Sequence, residues 1–464
     1  MKITNRTLTY LFILVTGGSA CKKFVQIDPP RTQLVAATVF SNNSTAIAAL
    51  TSIYAQMSSM ADICWFTGMS SDEFINYGTL PYANVYANAL IENDGDRMVN
   101  FVWTAQYNFI YQANALIEGL RNSTGVSEDV RRQLLGEAKF IRAFWHFYLV
   151  NLYGDIPIVT STDYKTNLAA PRSPVSKVYQ QIIADLKEAQ DLLSEKYVDG
   201  ANMETVDRVR PTKWAAMAML ARVYLFSGDW ANAEDRASAV ISHSPAFSLP
   251  PDLNSVFLKN SPEAIWQLKP APERGYNTDE GKKFILTDIP NGAYGVSLNT
   301  PVLAAFEPGD RRRTDWVDSI TVSGTEYYFP YKYKVSTGST ITEYSMVIRL
   351  AELYLIRAEA RAQQDRPADA AADLDLIRNR AGLPGTTAGT KAELLTAVLH
   401  ERQVELFTEG HRWLDLKRTN TVDLVMTIVT PLKGSNTWKS YQQLYPIPRT
   451  DIKNSINLKQ NPGY

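Results

Sequence analysis

Two matching stretches constrain this chain more than anything else in it: "PTKWAAMAMLARVYLFSGDWANAEDRASAVI" (211–241) and "RLAELYLIRAEARAQQDRPADAAADLDLIRNRAG" (349–382). In both, apolar residues recur three and four places apart, the spacing of a helix with one buried face. Small residues fall at matched places, with Ala358 and Ala370 twelve apart like Ala221 and Ala233. Side chains of that size let two helices approach closely, and Gly228 supplies the turn between them. A chain carrying such pairs is committed to helix-on-helix packing.

Leu220, Ala221, Tyr224, Gly228, Ala233 and Ala237 occupy the places that a tetratricopeptide helix pair requires. A weaker copy sets "EAKFIRAFWHFYLV" against "QQIIADLKEA" across the loop 154–174. Helical spacing also runs through 106–120 and 128–154, where Gly154 and Pro157 end it. The copies are unevenly spaced, so they do not form a regular solenoid. The expected fold is mostly α: tetratricopeptide-like pairs in a right-handed helical scaffold, with long irregular insertions and a few short β-strands. That domain should occupy 43–464, with insertions at about 65–101 and 245–345. Long irregular loops on a helical frame are uncommon unless they carry function.

The N-terminus reads as an address. Lys2 and Arg6 precede the short apolar run Leu8–Val15, and "TGGSA" leads to Cys21. This is the pattern of a secretory signal peptide over 1–20, too short in its apolar part to span a bilayer. A Cys directly after small residues suggests a bacterial lipoprotein acylated on Cys21, although Gly18 stands where such signals usually carry Leu. Ordinary secretion with a free Cys21 thiol is the alternative. Residues 21–42, with Pro29–Pro30, read as a tether. The only other cysteine is Cys64, so no disulfide framework or thiolate metal site is expected. With 47 Lys and Arg against 48 Asp and Glu and no block of like charge, the chain lacks the footprint of a nucleic-acid binder.

Catalytic motifs fail one after another. "HERQV" (400–404) would need a second His at Val404 to hold zinc, and "GTTAGTK" (385–391) has the wrong spacing for a phosphate loop. The four histidines, His146, His243, His400 and His411, show no paired ligand spacing. The densest ionisable cluster is "EGHRWLDLKR" (409–418) with Glu401 and Glu405 just upstream. Glu401, Glu405 and Glu409 recur every four residues, which predicts one acidic face on a helix beginning near Lys391 and capped at Gly410. Three like charges in line require facing cations, to be found among Arg402, Arg412, Lys417, Arg418 and Arg349 or Arg357. The expectation is a structural ion-pair network and not an acid/base pair. No enzyme activity, no cofactor and no metal are expected.

Eight blocks, in order, resemble the SusD/RagB family of outer-membrane nutrient-uptake lipoproteins. They begin with Cys21 and "FVQIDPP" and continue with "EAKFIRAFWHFYLVNLYGDIPIV" and "RPTKWAAMAMLARVYLFSGDW". "SPEAIWQL", "RLAELYLIRAEA", "IRNRAGL" and "ERQVELFTEGHRWLDLKR" follow, then the terminal "LYPIPRTDIKNSINLKQNPGY". The resemblance implies a lipid-anchored protein exposed on the outer membrane, paired with a SusC-like TonB-dependent receptor barrel. It also implies that the helical scaffold contacts the barrel while a loop-rich face binds glycan, or peptide in some members.

The family's shared blocks are scaffold, so the ligand site is read from chemistry. Sugars present C–H faces to aromatic rings and hydroxyls to planar polar groups. On that basis the candidates are Trp65, Asp72, Tyr77, Tyr82, Tyr86 and Asn93 in the first insertion. Tyr276, Asn277, Tyr294 and Trp316 are those of the second. Trp103, Trp145, Trp214 and Trp413 lie in helical patterns and should be core. "GDRRRTDW" (309–316) offers an Asp–Arg pair expected to be structural. The expected function is capture of oligosaccharide at the cell surface for a partner barrel. A protein-binding repeat scaffold, a peptide-binding relative and a secreted glycosidase are the rivals.

Overall fold

A computed structural model describes residues 36–57, 61–78, 83–92, 100–243, 246–270, 274–291, 295–434 and 437–464. Cys21, the signal segment 1–20 and most of the tether lie outside the described residues, as do Tyr82, Asn93 and Tyr294.

The frame is a run of helices, most of which pack against the next. Its first half comprises α1 (Asn43–Met57), α2 (Ala61–Ser70), α3 (Ala105–Arg121), α4 (Glu128–Tyr153), α5 (Val175–Leu192), α6 (Lys213–Ser227) and α7 (Trp230–Ile241). The second half comprises α8 (Leu350–Gln363), α9 (Pro367–Arg380), α10 (Lys391–Glu405), α11 (Arg412–Arg418), α12 (Val422–Leu432) and α13 (Arg449–Asn454). Every residue of α4 from Gly136 to Val150 is buried. A helix covered on all sides must sit at the centre of a domain, and α3, α5, α1 and α6 surround this one. It starts with Glu128 and Asp129, whose charges suit the positive helix end. It stops at Gly154, held at φ +75°, a conformation that costs glycine little.

The paired stretches fold as the spacing requires. Helix α6 ends at Gly228 (φ +75°), and the Asp229 carboxylate accepts the Asn232 N–H to cap α7. Ala221, Ala233, Ala237, Ala358 and Ala370 have no exposed surface at all. Helices α8 and α9 form the second pair, and α7 packs on α8 to join the two. Across that junction Arg222 donates to Glu352 at 2.7 and 2.5 Å, with both side chains buried.

Strands are few and short. Three antiparallel pairs occur among the described residues: β1 (Phe74–Asn76) with β3 (Val296–Leu298), β2 (Ala264–Leu268) with β6 (Ser345–Arg349), and the hairpin β4 (Val317–Val322) with β5 (Thr325–Pro330). Strand β2 brings Trp266 edge-on to Phe140 and Phe144 of α4, with centroids 5.0 and 5.3 Å apart. The second insertion is thereby seated in the same core.

The acidic series departs from its expected form. Helix α10 ends at Glu405, so Glu409 lies in the following turn, where Thr408 (φ +60°) and Gly410 (φ +81°) reverse the chain. Its cations mostly come from elsewhere. Arg312 donates to Glu401 at 2.6 Å, to Glu405 at 2.9 Å and to Asp310 at 2.8 Å. Arg349 reaches Glu405 at 2.6 Å, Glu263 at 2.8 Å and Glu409 at 2.8 Å. Arg380 bridges Glu263 and Glu405, and Lys332 donates to Glu409 at 2.5 Å. Of the expected cations only Arg349 takes part. Arg402 pairs with Asp415, Arg412 with Asp72, Arg418 with Glu359 and Arg357 with Asp373, while Lys417 donates to the Asn151 carbonyl. The Asp310–Arg312 pair is structural, as expected.

Burial pushes the Glu405 carboxyl up, but Arg380, Arg349 and Arg312 outweigh it and hold it well below the usual carboxylate range. Burial acts the same way on Glu352, which Arg222 pulls down to about 2. A carboxyl lowered in the folded state contributes stability that is complete above its unfolded value of about 4.3 and is lost as pH falls toward the folded value. The melting temperature, followed by circular dichroism, should therefore hold from pH 7 to about 5 and drop below that. Glu405→Gln should lose about 3–5 kcal/mol at pH 7, because it removes the one carboxylate that three buried guanidinium groups share. Its decline in acid should be shallower than that of the unmodified chain.

Candidate functional site

The structure sorts the ring and amide candidates by burial. Trp65 is 2% exposed, because residues 61–70 form helix α2 and not the start of a loop. Its indole stacks on Phe284 at 5.7 Å and lies 6.1 Å from Phe74. Trp316 has no exposed surface, and its indole N–H donates to the Leu253 carbonyl at 3.0 Å. Both tryptophans are core. Asp72 is buried and receives two bonds from Arg412, at 2.8 and 2.7 Å. Asn277 is buried too, and its amide clamps the 340–343 segment through the Thr340 carbonyl and the Thr342 and Glu343 N–H groups. Neither polar group is free to meet a ligand. Among the tryptophans expected in the core, Trp103, Trp145 and Trp413 are buried, whereas Trp214 is half-buried and stacks on His243 at 3.8 Å.

Tyr77, Tyr86 and Tyr276 remain accessible. Tyr276 is half-buried, with its hydroxyl donating to Asp279 at 2.7 Å. Tyr77 is 40% exposed at the end of β1. Asn76 sets its direction: the Asn76 side chain accepts the Gly78 N–H at 3.1 Å and donates to the Gly78 carbonyl at 3.2 Å. Such a local side-chain turn presents the residue between them outward. The Tyr77 hydroxyl lies 3.2 Å from Ser297 Oγ on β3. Its ring meets Tyr327 of β5 edge to face, with centroids 5.4 Å apart and planes at 82°. Tyr86 lies close by, with Lys433 Nζ 5.3 Å from its ring, and burial pushes its phenol pKa up, so that it stays a neutral hydrogen-bonding group.

Beneath this face is a polar layer that holds β1 in place. Glu73 accepts the Thr408 N–H at 2.9 Å, and burial raises its pKa to about 7. Lys433 donates to the carbonyls of Met69 (2.7 Å), Ser70 (3.1 Å) and Ser71. No cluster of His, Cys, Asp and Glu able to hold a metal occurs among the described residues.

Tyr327 was not among the residues selected from the sequence. Strand alternation in "TEYYFP" separates Tyr327 from Tyr328, whose ring is covered by Arg313 at 4.7 Å and whose hydroxyl donates to Glu326 at 2.6 Å. Which of two adjacent tyrosines lies beside Tyr77 depends on the partner strand, and that pairing is not written locally. The assembled face offers two crossed phenol rings and a neighbouring phenol, with the buried Ser297 hydroxyl behind Tyr77. Such a surface can stack on an apolar sugar face and hydrogen-bond its hydroxyls.

Burial predicts a clear separation. Trp65→Ala should cost about 3–5 kcal/mol of stability, as cavity-forming core truncations do. Tyr77→Ala should change it by about 0.5 kcal/mol or less, as exposed substitutions do. Urea unfolding of the two variants checks both.

Comparison with known proteins gives a consistent result. Residues 26–225 match a family described as "Starch-binding associating with outer membrane", and residues 311–464 match one described as "SusD family". The SusD-like protein P25 of Formosa agariphila is 25% identical, with all of both chains covered. The starch-binding protein SusD of Bacteroides thetaiotaomicron is 28% identical over 42% of this chain and 36% of its own length. Among solved structures, a laminarin-binding SusD-like protein superposes with a TM-score of 0.76 at 23% identity, covering 92% of this chain and all of its own. The surface glycan-binding protein A of Bacteroides uniformis superposes with a TM-score of 0.77 at 21% identity, covering 90% and 99%.

Proposed function

Because this chain belongs to the SusD/RagB family, we propose that it captures an oligosaccharide at the outer-membrane surface and passes it to a SusC-like TonB-dependent transporter. The protein acts by binding and not by catalysis, held to the membrane through acylated Cys21. The observation that carries the ligand site is the edge-to-face pair of the exposed Tyr77 with the half-buried Tyr327. Its rings come from insertions 250 residues apart along the chain, so the fold spends two separate excursions on presenting them together. Related chains are named for starch, laminarin and glycan binding, which supports carbohydrate as the ligand class.

A second surface suits the partner. Leu424, Ile428 and Leu432 recur every four residues on α12 and are 72%, 66% and 77% exposed. A continuous apolar stripe of this kind marks a protein contact more often than open solvent. We assign it to the transporter side of the molecule.

Affinity electrophoresis of the protein through a panel of neutral polysaccharides tests the capture reading. Tyr77→Ala with Tyr327→Ala should weaken retardation roughly fivefold to 150-fold, given about 0.5–1.5 kcal/mol for each of the two stacked rings, with the melting temperature unchanged. Unaltered retardation would remove the site from this face. Leu424→Glu with Ile428→Glu should abolish co-purification with the transporter while leaving glycan retardation intact.

A further inference from the structure

A depression lined by four aromatic rings, Trp103, Tyr107, Tyr111 and Tyr164, lies elsewhere on the helical frame. Three segments build it: the first turns of α3, the loop 157–170 with its short helix Tyr164–Leu168, and the end of α13 with the residues that follow it. Its volume is about 420 Å³, inside the roughly 300–1,000 Å³ range of small-molecule sites. Thr104, Tyr107 and Tyr111 stand three and four apart on α3, so they share one helix face, and all three line the groove. Trp103 and Tyr107 form its floor, with ring centroids 4.8 Å apart.

Its rim is what a structural role does not explain. Tyr164 is 70% exposed and Tyr111 50%. No hydrogen bond from either hydroxyl to another described residue is present. By contrast the Tyr107 hydroxyl, deeper in, donates to the Pro157 carbonyl at 2.9 Å. Two large rings and Leu168, half exposed, therefore surround one concavity that they do not fill. The exposed amide of Asn454 stands at the same rim. Other depressions are larger but carry fewer rings: the one of about 820 Å³ beside Arg378 and His400 has no Tyr, Trp or Phe, one of about 580 Å³ has Tyr54, and one of about 520 Å³ has Phe226 and Trp230.

The walls are preset. Asn114 donates to the Val159 and Ser161 carbonyls at 3.2 and 3.3 Å, fixing the loop to α3. Ser455 and Asn457 donate to the Leu168 and Ala169 carbonyls at 2.8 and 2.7 Å, fixing the C-terminal wall to the loop. A groove already held open loses little ordering entropy on binding. Its charge also selects. Among the described residues Asp451 is the one carboxylate lining it and no Lys, Arg or His does, while Lys165 Nζ stands 6.0 Å from the Tyr164 ring at the rim. The guanidinium of nearby Arg172 is engaged with the carbonyls of Asp155 at 2.7 Å and Lys459 at 3.0 Å.

We propose that this groove is a second carbohydrate site, separate from the Tyr77–Tyr327 face, that takes an uncharged oligosaccharide. The ring of Tyr164 or Tyr111 stacks on a pyranose face, their hydroxyls and the Asn454 amide meet sugar hydroxyls, and Asp451 disfavours acidic glycans.

The test uses the full chain in detergent on an array of neutral and acidic oligosaccharides, followed by hydrogen–deuterium exchange with the neutral glycans it retains. Four forms are compared: unmodified, Tyr77→Ala/Tyr327→Ala, Tyr111→Ala/Tyr164→Ala, and all four substitutions together. The expected result is residual neutral-glycan binding in the face variant, weakened at least threefold by the groove substitutions, with exchange protection over 105–111 and 161–168. Binding sensitive only to the groove substitutions supports the groove and overturns the face reading. Binding sensitive only to the face substitutions, with no protection at the groove, overturns the groove and leaves the face standing. Failure of every neutral glycan, or groove-dependent retention of acidic glycans or of a peptide, also overturns it.

Discussion

The buried network around Glu405 is the interaction on which the rest of the structure depends. Glu263, Glu307, Asp310, Glu401, Glu405 and Glu409 meet Arg312, Arg349, Arg378, Arg380 and Lys332, so six acids face five cations. Taken out of water singly, each of these charges would cost several kcal/mol, and attraction offsets that only where geometry satisfies nearly every donor. The network therefore tolerates one arrangement. Its members come from β2, from the segment before β4, from the residue pair after β5, from β6, and from the ends of α9 and α10. Forming it fixes where a hundred residues of irregular insertion sit on the helical frame.

That constraint reaches the candidate ligand face directly. Both ends of the β4–β5 hairpin are tied to the turn after α10. Arg312 lies just before β4 and holds Glu401 and Glu405, while Lys332, just after β5, donates to the Glu405 and Phe407 carbonyls at 2.8 Å each. Strand β1 hangs from the same turn, through Glu73 to the Thr408 N–H and Asp72 to Arg412. Tyr327 and Tyr77 thus meet because their strands share one anchor. The cluster "EGHRWLDLKR", dense enough to suggest chemistry, acts by positioning rings that lie outside it.

What was legible in the sequence follows from how local each feature is. The helix pairs were readable because Ala221 and Ala233, or Ala358 and Ala370, report a packing repeat within about thirty residues. The acidic series was readable as a network but not in its partners. Arg312 and Arg380 meet Glu405 only after long loops close, and no spacing within the chain specifies that. Trp65 stands just ahead of a polar insertion and Trp316 follows a charged run, which hid the fact that each faces a hydrophobic partner, Phe284 or Phe257, contributed by distant segments. Tyr111 and Tyr164 were passed over for the converse reason. Tyr111 lies on a helix whose periodicity marks it as ordinary, and its concavity exists only once the 157–170 loop and the C-terminal wall close around it.

The two ring sets stand on different mounts, and this has a physical consequence. The Tyr77–Tyr327 face depends on charged groups whose geometry is unforgiving, so its strands can change sequence only around a fixed anchor. The groove is held by neutral side chains donating to backbone carbonyls, bonds worth about 1 kcal/mol each and indifferent to most side-chain changes nearby. Rings at the groove rim can be exchanged with little strain on the frame, whereas those on the face are set by the hairpin that carries them. A long, neutral glycan touching both would draw its affinity from two weak contacts on one rigid body. Because the helical frame fixes their separation, the second contact forms without further loss of translational freedom.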